Sequence, residues 1–281
     1  MTLKLTFQYS WLTSEKYGIV KRSKLINNNE TEIEIEYLDG IQNILPYGID
    51  QQFQNAFSTL ADGYKKNELI KEVGIGVFSL SSIPSDKAEP SESLKATTVW
   101  STGIKPKKYL LSSTQLNDFR NGKTVETEHD VKGRRGAYFI NGNLSLKPDK
   151  SEEWYIIAEI NQDSSDLTEL IYHIKNNDGL TKKIITDISA GTEELKKIVA
   201  KADGLQLTQD KLGTSRHFAN TLFNVMRGGI FLDSYTIDKK DFLQFVQSSN
   251  SRVFEKNEKF LNELDNEIEY SELVQQVSEV K

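Results

Sequence analysis

The chain changes its hydrophobic period once. From Leu3 to about residue 160 the apolar positions recur at every second residue, and from 164 onward they recur at steps of three and four. In the first stretch Leu3, Leu5, Phe7, Tyr9 and Trp11 alternate with Thr2, Lys4, Thr6, Gln8 and Ser10, the signature of a half-buried strand. Tyr17–Ile26 and Glu32–Leu38 follow, with Ile33, Ile35 and Tyr37 opposing Glu32, Glu34 and Glu36. Asn27–Asn29 between them predicts an antiparallel hairpin.

Leu38–Asp50 loses the period and carries Gly40, Pro46 and Gly48, so an ordered but irregular excursion is expected there. Phe53, Phe57, Leu60, Ala61 and Tyr64 predict an amphipathic helix within Gln51–Glu68. Strands resume over Gly74–Ser81, Lys95–Ser101 and Lys108–Ser112. Between them Ile83–Ser91 reads as a surface loop, and Thr114–Arg120 as a short helix capped by Thr114. Asn121–Arg135 is polar and gives no core signal. Gly136–Leu146 alternates about an Asn141-Gly142 turn, and Glu153–Ile160 is a dense apolar strand.

In the second stretch Leu167, Leu170, Ile171 and Ile174 open a helical texture. It continues through Leu180–Ala202, His217–Met226, Asp238–Ser249, Arg252–Leu264 and Tyr270–Lys281. The expected fold is therefore α+β, mainly β: a large antiparallel β-sandwich over residues 1–162, then a helical segment over 163–281. A first strand without a lead-in and a last helix without a stop signal are also what a piece of a longer protein shows.

Composition narrows the chemistry. The chain of 281 residues holds 41 acidic and 35 basic side chains, mostly interspersed, and the resulting charge of −6 removes the electrostatic drive for nucleic-acid binding. With no cysteine there are no disulfides, thiolate metal sites or thiol nucleophiles. No charged and apolar leader precedes the first strand, and no apolar run approaches a bilayer span, so no membrane partner is expected and the cytoplasm, or alternatively the periplasm, is the expected location.

Several motifs reduce to plain structure. Gly74-x-Gly76 lacks a third glycine and a following helix, and Arg227-Gly228-Gly229 follows a helix, where glycine serves as a C-terminal cap. His129, His173 and His217 lie far apart with no second ligand at metal spacing, so neither metal nor cofactor is expected. Asp50, Asp62, Glu126, Glu128 and Asp130 offer carboxylates for glycoside chemistry. Of the acids only Glu159 lies in an apolar stretch, where pairing with a lysine or arginine is the simpler account.

Three constellations are less ordinary. Leu38–Gly48 places Asp39, Gln42, Asn43 and Tyr47 among apolar residues, as a hydrogen-bonded corner or the lip of a polar cleft. Gly133–Tyr138 joins Arg134 and Arg135 to an aromatic, as a solvated basic patch or a binding surface. Asn220, Asn224 and Arg227 share one helical face at steps of four and three, suited to an interdomain contact or an array of sugar hydroxyls.

The phrase Tyr37–Asp50, the run Ala202-Asp203-Gly204-Leu205-Gln206, and His217–Phe231 with its Asn224-x-Met226-Arg227-Gly228-Gly229 core resemble the N-terminal part of large bacterial cellobiose-phosphorylase-like proteins, from about Tyr9 to the end. The resemblance implies a galactose mutarotase-like super-sandwich leading through linker helices to an (α/α)6 barrel. That barrel would hold the acid catalyst and the phosphate or nucleophile site and would begin beyond Lys281, so no catalytic residue is assigned to this chain. Partners implied are that barrel, an oligosaccharide and a second copy in a homodimer. Arg227, Asn224, Asn220 and Tyr47 are the implied substrate-binding or interdomain positions. A free-standing carbohydrate-binding module and a mutarotase-like sugar enzyme are the alternatives. The module needs exposed aromatic rings, whereas Trp11, Trp100 and Trp154 are all expected to be buried. The enzyme needs His129 or His173 facing a carboxylate within the sandwich.

Overall fold

The computed structural model describes residues 4–83, 93–176, 179–206, 208–228 and 235–279. The fold is α+β, mainly β, on antiparallel sheets. The chain divides into two compact units, Met1–Gly191 and Thr192–Lys281.

The first unit holds a large and a small sheet. The large one orders its strands β1 (Leu5–Ser14), β2 (Gly18–Asn27), β10 (Ser151–Gln162), β6 (Ala96–Thr102), β5 (Ile75–Leu80), β4 (Lys65–Ile70) and β8 (Asp130–Lys132). The small one orders β3 (Ile33–Ile44), β9 (Gly136–Leu146) and β7 (Lys108–Leu110). Between the sheets, Leu25, Phe78, Val99, Trp154 and Ile156 meet Tyr37, Ile44, Tyr138, Ile140 and Leu146. The other face of the large sheet carries Val20, Ile75, Trp100, Tyr155 and Ile157. It is covered by α4 (Ser164–Asn176) and the first half of α5 (Leu180–Lys201), through Leu167, Leu170, Ile171, Ile174, Leu180 and Ile184. With both faces covered, β10 needs apolar residues at consecutive positions, which is why Trp154–Ile157 is an unbroken run.

The change from strand to helix falls at Gln162 and Ser164, where the hydrophobic period changes. Asp163 caps α4 by accepting from the Ser165 and Asp166 amides at 2.8 and 3.1 Å, and the Asp166 carboxylate accepts from the Asp163 amide at 3.0 Å, a capping box.

Several local expectations are overturned. β2 does not form a hairpin with Glu32–Leu38: it pairs with β1 across the Glu15–Tyr17 turn, and β3 crosses to the other sheet. Asn27 ends β2 instead, its amide nitrogen donating to the Thr31 and Leu146 carbonyls. β3 runs on through Leu38–Ile44, where an irregular excursion was expected, because β9 pairs along its whole length. The same pairing abolishes the expected Asn141-Gly142 turn. Gly142 lies opposite Tyr37, whose ring fills the space a side chain would take, and the Asn141 amide donates to the Tyr37 carbonyl.

The single helix expected within Gln51–Glu68 is two short ones, α1 (Gln51–Ala56) and α2 (Ser58–Gly63), followed by β4. Thr114 does not cap α3 (Leu116–Arg120); its hydroxyl donates to Glu128. Asn121–Arg135 contributes a fully buried Val125 and strand β8, against its polar reading. Trp100 and Trp154 are buried as expected, but Trp11 is 55% exposed together with Phe7 and Tyr9. The loop expected over Ile83–Ser91 lies, from residue 84 on, outside the described residues.

In the second unit α6 (Lys211–Met226) follows the end of α5, and Gly228 takes φ +70° behind α6, the C-terminal glycine expected there. Gly229 lies outside the described residues. The segment from Thr236 on is not wholly helical. β11 (Thr236–Asp238) and β12 (Glu267–Glu269) pair around α7 (Lys239–Ser249), α8 (Ser251–Lys256) and α9 (Glu258–Glu263), with α10 (Tyr270–Glu279) after them. Leu261, Leu264, Ile268 and Leu273 form its core with Ile237, Phe242, Leu243 and Val246.

One partly buried carboxylate ties the two sheets. Asp39 of β3 points into the sandwich and accepts from the Lys21 ammonium, from Ser23 Oγ at 2.8 Å and from Trp154 Nε1 at 2.8 Å. Beside it Gly40 lets β9 approach, since a Cβ there would lie 2.1 Å from the Tyr138 carbonyl oxygen. Asp39→Ala leaves the buried Lys21 charge without its partner, and we expect a loss of about 3–5 kcal/mol. Joint replacement by Lys21→Met and Asp39→Leu should cost less than Asp39→Ala alone. Urea unfolding of the three variants checks both statements, and equal losses for the single and double variants would contradict this role.

Candidate functional site: a polar cleft at one end of the sandwich

Two of the three unusual constellations come together in space. At the end of β3, Asn43 adopts φ +57° at a register shift in the β3–β9 ladder, a conformation that asparagine tolerates. The chain then enters α1, where the Asp50 carboxylate accepts from the Phe53 amide at 2.6 Å and sets the helix start. Gln51, Gln54 and Asn55 of α1 face the Gly133–Arg135 turn between β8 and β9 across a cleft of about 320 Å³. Asn43, Ile44, Leu45, Lys65 and Arg135 complete its lining. A neighbouring hollow of about 420 Å³ shares Asn43 and Arg135 and extends to Asp62, Ser112–Thr114 and Arg134.

The floor is charged and rigid. Lys65, 2% exposed, donates to Gln54 Oε1 and to Asp62 Oδ1, the latter at 2.8 Å. The Gln54 amide nitrogen reaches Asp62 at 3.2 Å and Arg135 Nε lies 3.7 Å from its other oxygen. Partial burial pushes the Asp62 carboxyl upward. Lys65, Gln54 and Arg135 together outweigh that and hold it below the usual carboxylate range.

The far wall hangs on Glu128. Its carboxylate accepts from the Leu111 and Ser112 amides at 2.7 and 2.8 Å, and from Ser112 Oγ, Thr114 Oγ1 and Gln115 Nε2 at 2.9–3.1 Å. Read from sequence, Glu128 was one abundant acid among many; in the fold it is a structural acceptor with no capacity left for a ligand. The only sequence sign of the Lys65 cluster is the Asp62-x-x-Lys65 spacing, and a buried lysine in a polar strand gives no hydrophobic signal.

The positions singled out by resemblance lie elsewhere. Tyr47, 42% exposed, follows β3 in the first unit, and the Lys95 ammonium sits 5.5 Å from its ring centroid. In the second unit Asn220 and Asn224 belong to α6, and Arg227 is the residue that ends it. The Asn224 amide donates to the Asn220 carbonyl at 2.8 Å, and the Arg227 guanidinium lies 5.1 Å from the Phe223 ring centre. Two of the phrases carrying the resemblance pack on each other there: His217 Nε2 donates to the Asp203 carbonyl at 2.7 Å, and Gly204 sits against Val199 and Thr221.

Glu159 is half-buried and its carboxyl is raised, first by that burial and then by the Asp166 charge. No lysine or arginine bridges it among the described residues, so the expected pairing is not found, and it lines neither half of the cleft. His129 adjoins β8 at one edge of the large sheet, whereas His173 is on α4 beside Glu169; β10, over which α4 packs, is four strands from β8. Among the described residues no group of three or more His, Asp or Glu side chains is placed to hold a metal, and no helix is long and apolar enough to cross a membrane.

Against this geometry, residues 231–281 match the family model described as glycoside hydrolase family 149 insertion domain 1. No curated protein matches the chain. The match supports a domain of a carbohydrate-active enzyme of glycoside-hydrolase type. It falls on the segment whose β11–β12 clasp closes a core of its own.

The depressed Asp62 carboxyl gives a pH dependence. Its contribution to stability is fully present above its ordinary value of 3.8 and is lost as pH falls through the lower folded value. We expect Asp62→Asn to lower stability at neutral pH and to flatten the loss of melting temperature below that value. Melting curves from neutral to strongly acid pH test this, and an unchanged acid limb in the variant would contradict it.

Proposed function

We propose that this chain is a non-catalytic domain of a carbohydrate-active enzyme, a glycoside phosphorylase or hydrolase. In this reading its galactose mutarotase-like sandwich supports and shapes the cleft of an (α/α)6 catalytic barrel. The observation that carries the reading is the match of residues 231–281 to an insertion domain of a glycoside hydrolase family. The resemblance in Tyr37–Asp50 and His217–Phe231 supports the finer placement beside a phosphorylase-like barrel.

The chemistry of the cleft agrees. Asn43, Gln51 and Asn55 present exposed amides, which donate and accept at once and so match sugar hydroxyls. Glycoside cleavage by two carboxylates needs a raised acid facing a second carboxylate. Among the described residues, Asp62 is the carboxylate that lines the neighbouring hollow, and it is depressed and held by Lys65 and Arg135. Asn220 and Asn224 on α6, Arg227 at its end, and Tyr47 in the first unit are the positions assigned to the contact with the barrel or its substrate. The expected setting is the cytoplasm.

The exposed Trp11 is the one observation favouring a free-standing carbohydrate-binding module instead. The two readings separate by experiment. The chain should turn over no disaccharide in a panel assayed with and without phosphate. Calorimetric titration with cello- and manno-oligosaccharides should show weak binding that Gln51→Ala or Asn55→Ala reduces about tenfold, the value of one good hydrogen bond. Turnover by the chain sinks the non-catalytic reading. Binding that ignores both substitutions and shifts tryptophan emission favours the module.

A further inference from the structure

The chain carries more acid than base, with a net charge of −6, yet at one place the fold gathers cations. Lys65, Arg134 and Arg135 line the cleft and the adjoining hollow at the end of β3, against one lining carboxylate, Asp62. That carboxylate is already occupied. It lies 2.8 Å from the buried Lys65 ammonium, whereas Arg135 Nε stands 3.7 Å from it, beyond hydrogen-bond reach. The Arg134 side chain is exposed and has neither an ion pair nor a hydrogen bond among the described residues. Glu128, behind Ser112 and Thr114, is taken up by amide and hydroxyl donors. Two guanidinium groups are thus left without a matching anion.

Successive residues of a strand point to opposite faces, so neighbouring arginines do not ordinarily share one hollow. Here the backbone re-aims them. Gly133 takes φ +66° directly after β8, and the β3–β9 ladder shifts register between Gln42 and Ile44, where Asn43 takes φ +57°. Gly136 admits the close approach that follows, since a Cβ there would lie 2.8 Å from the Ile44 carbonyl oxygen. Both arginines consequently line the hollow, and Arg135 also lines the cleft that presents the amides of Asn43, Gln51 and Asn55.

We propose that this space takes an acidic oligosaccharide, its carboxylate or sulfate group held by Arg134 and Arg135 and its hydroxyls by Asn43, Gln51 and Asn55. The inference rests on the reading of the cleft as a sugar site and names the class of sugar. Amides accept any hydroxylated ligand and discriminate little between them. A guanidinium fork matches the paired oxygens of a carboxylate or a sulfate, and a neutral sugar leaves that fork unused. Lys65 takes no direct part, because Asp62 and Gln54 occupy its ammonium.

Calorimetric titration of the whole chain with oligogalacturonate and with a cello-oligosaccharide of equal length compares the two classes. The acidic ligand should bind about tenfold tighter in dilute buffer, and most of that advantage should vanish at about 1 M salt. Arg134→Gln changes an exposed side chain and should bring the two affinities together. Arg134→Lys keeps the charge without the fork and should restore part of the gap. A sulfated oligosaccharide, as a second acidic probe, separates ester from carboxylate as the preferred group. An acidic ligand that binds no tighter than the neutral one overturns the inference and leaves the proposed function standing. So does a gap that survives both Arg134→Gln and high salt. Free sulfate binding as tightly as the acidic oligosaccharides overturns it too, since the amides would then contribute nothing. Turnover of a disaccharide sinks the proposed function instead and leaves the affinity gap as measured.

Discussion

The placement of the small sheet depends on a carboxylate taken out of water. Asp39 reaches the Lys21 ammonium, Ser23 and Trp154, residues of two adjacent strands of the large sheet, and each of those donors is buried. Apolar contacts between two sheets tolerate sliding, because one aliphatic surface packs on another in many offsets. A buried charge with directional donors does not, since any slip leaves a polar group unpaired in a medium where that costs several kcal/mol. The tether therefore fixes which strands face each other. Tyr37 stacks beside Trp154 and Gly40 admits the Tyr138 backbone as consequences of that position.

A three-stranded sheet fixed over a seven-stranded one cannot cover it. The centre is sealed on both faces, by the small sheet on one and by α4 and α5 on the other. The periphery is left in two different conditions. At the end of β3 the uncovered space is polar and walled by α1 and the Gly133–Arg135 turn, which makes a cleft. Along β1 it is aromatic and open. Both sites arise from the same mismatch in sheet size, yet different residues line them, amides and charges in one and aromatic rings in the other.

Sequence periodicity read the elements well where one physical cause dominated. The helices after residue 163 pack one apolar stripe each, so spacing alone located α4, α5 and α7, with Asp238 marking the start of the last by its cap. It failed where pairing depended on residues far apart. Nothing within Leu38–Ile44 reveals that Gly136–Leu146 will hold it extended, and an Asn-Gly dipeptide signals a turn unless a partner strand overrules it. Alternation likewise shows that β1 has an apolar face without showing that the covering sheet stops short of it, which is why Trp11 read as buried. Of the candidate site, Asn43 and Arg135 were legible as unusual residues. Their meeting was not, because it is made by the fold, and Lys65 was invisible because a buried ion pair leaves no hydrophobic trace.

The same reasoning sorts the acids of this chain by their surroundings. A carboxylate that works as a general acid must keep its proton near neutral pH and face a substrate, conditions met by burial without a cationic partner beside an open site. Asp39, Asp62 and Glu128 are each partly withdrawn from water, and each is ringed by hydrogen-bond donors; those around Asp62 hold its carboxyl below the usual range. Glu159 has the burial and lacks the donors, yet it stands at the β10–α4 corner beside an aspartate that serves the helix cap. Burial without cationic partners and a place on the cleft thus fall to different residues among those described.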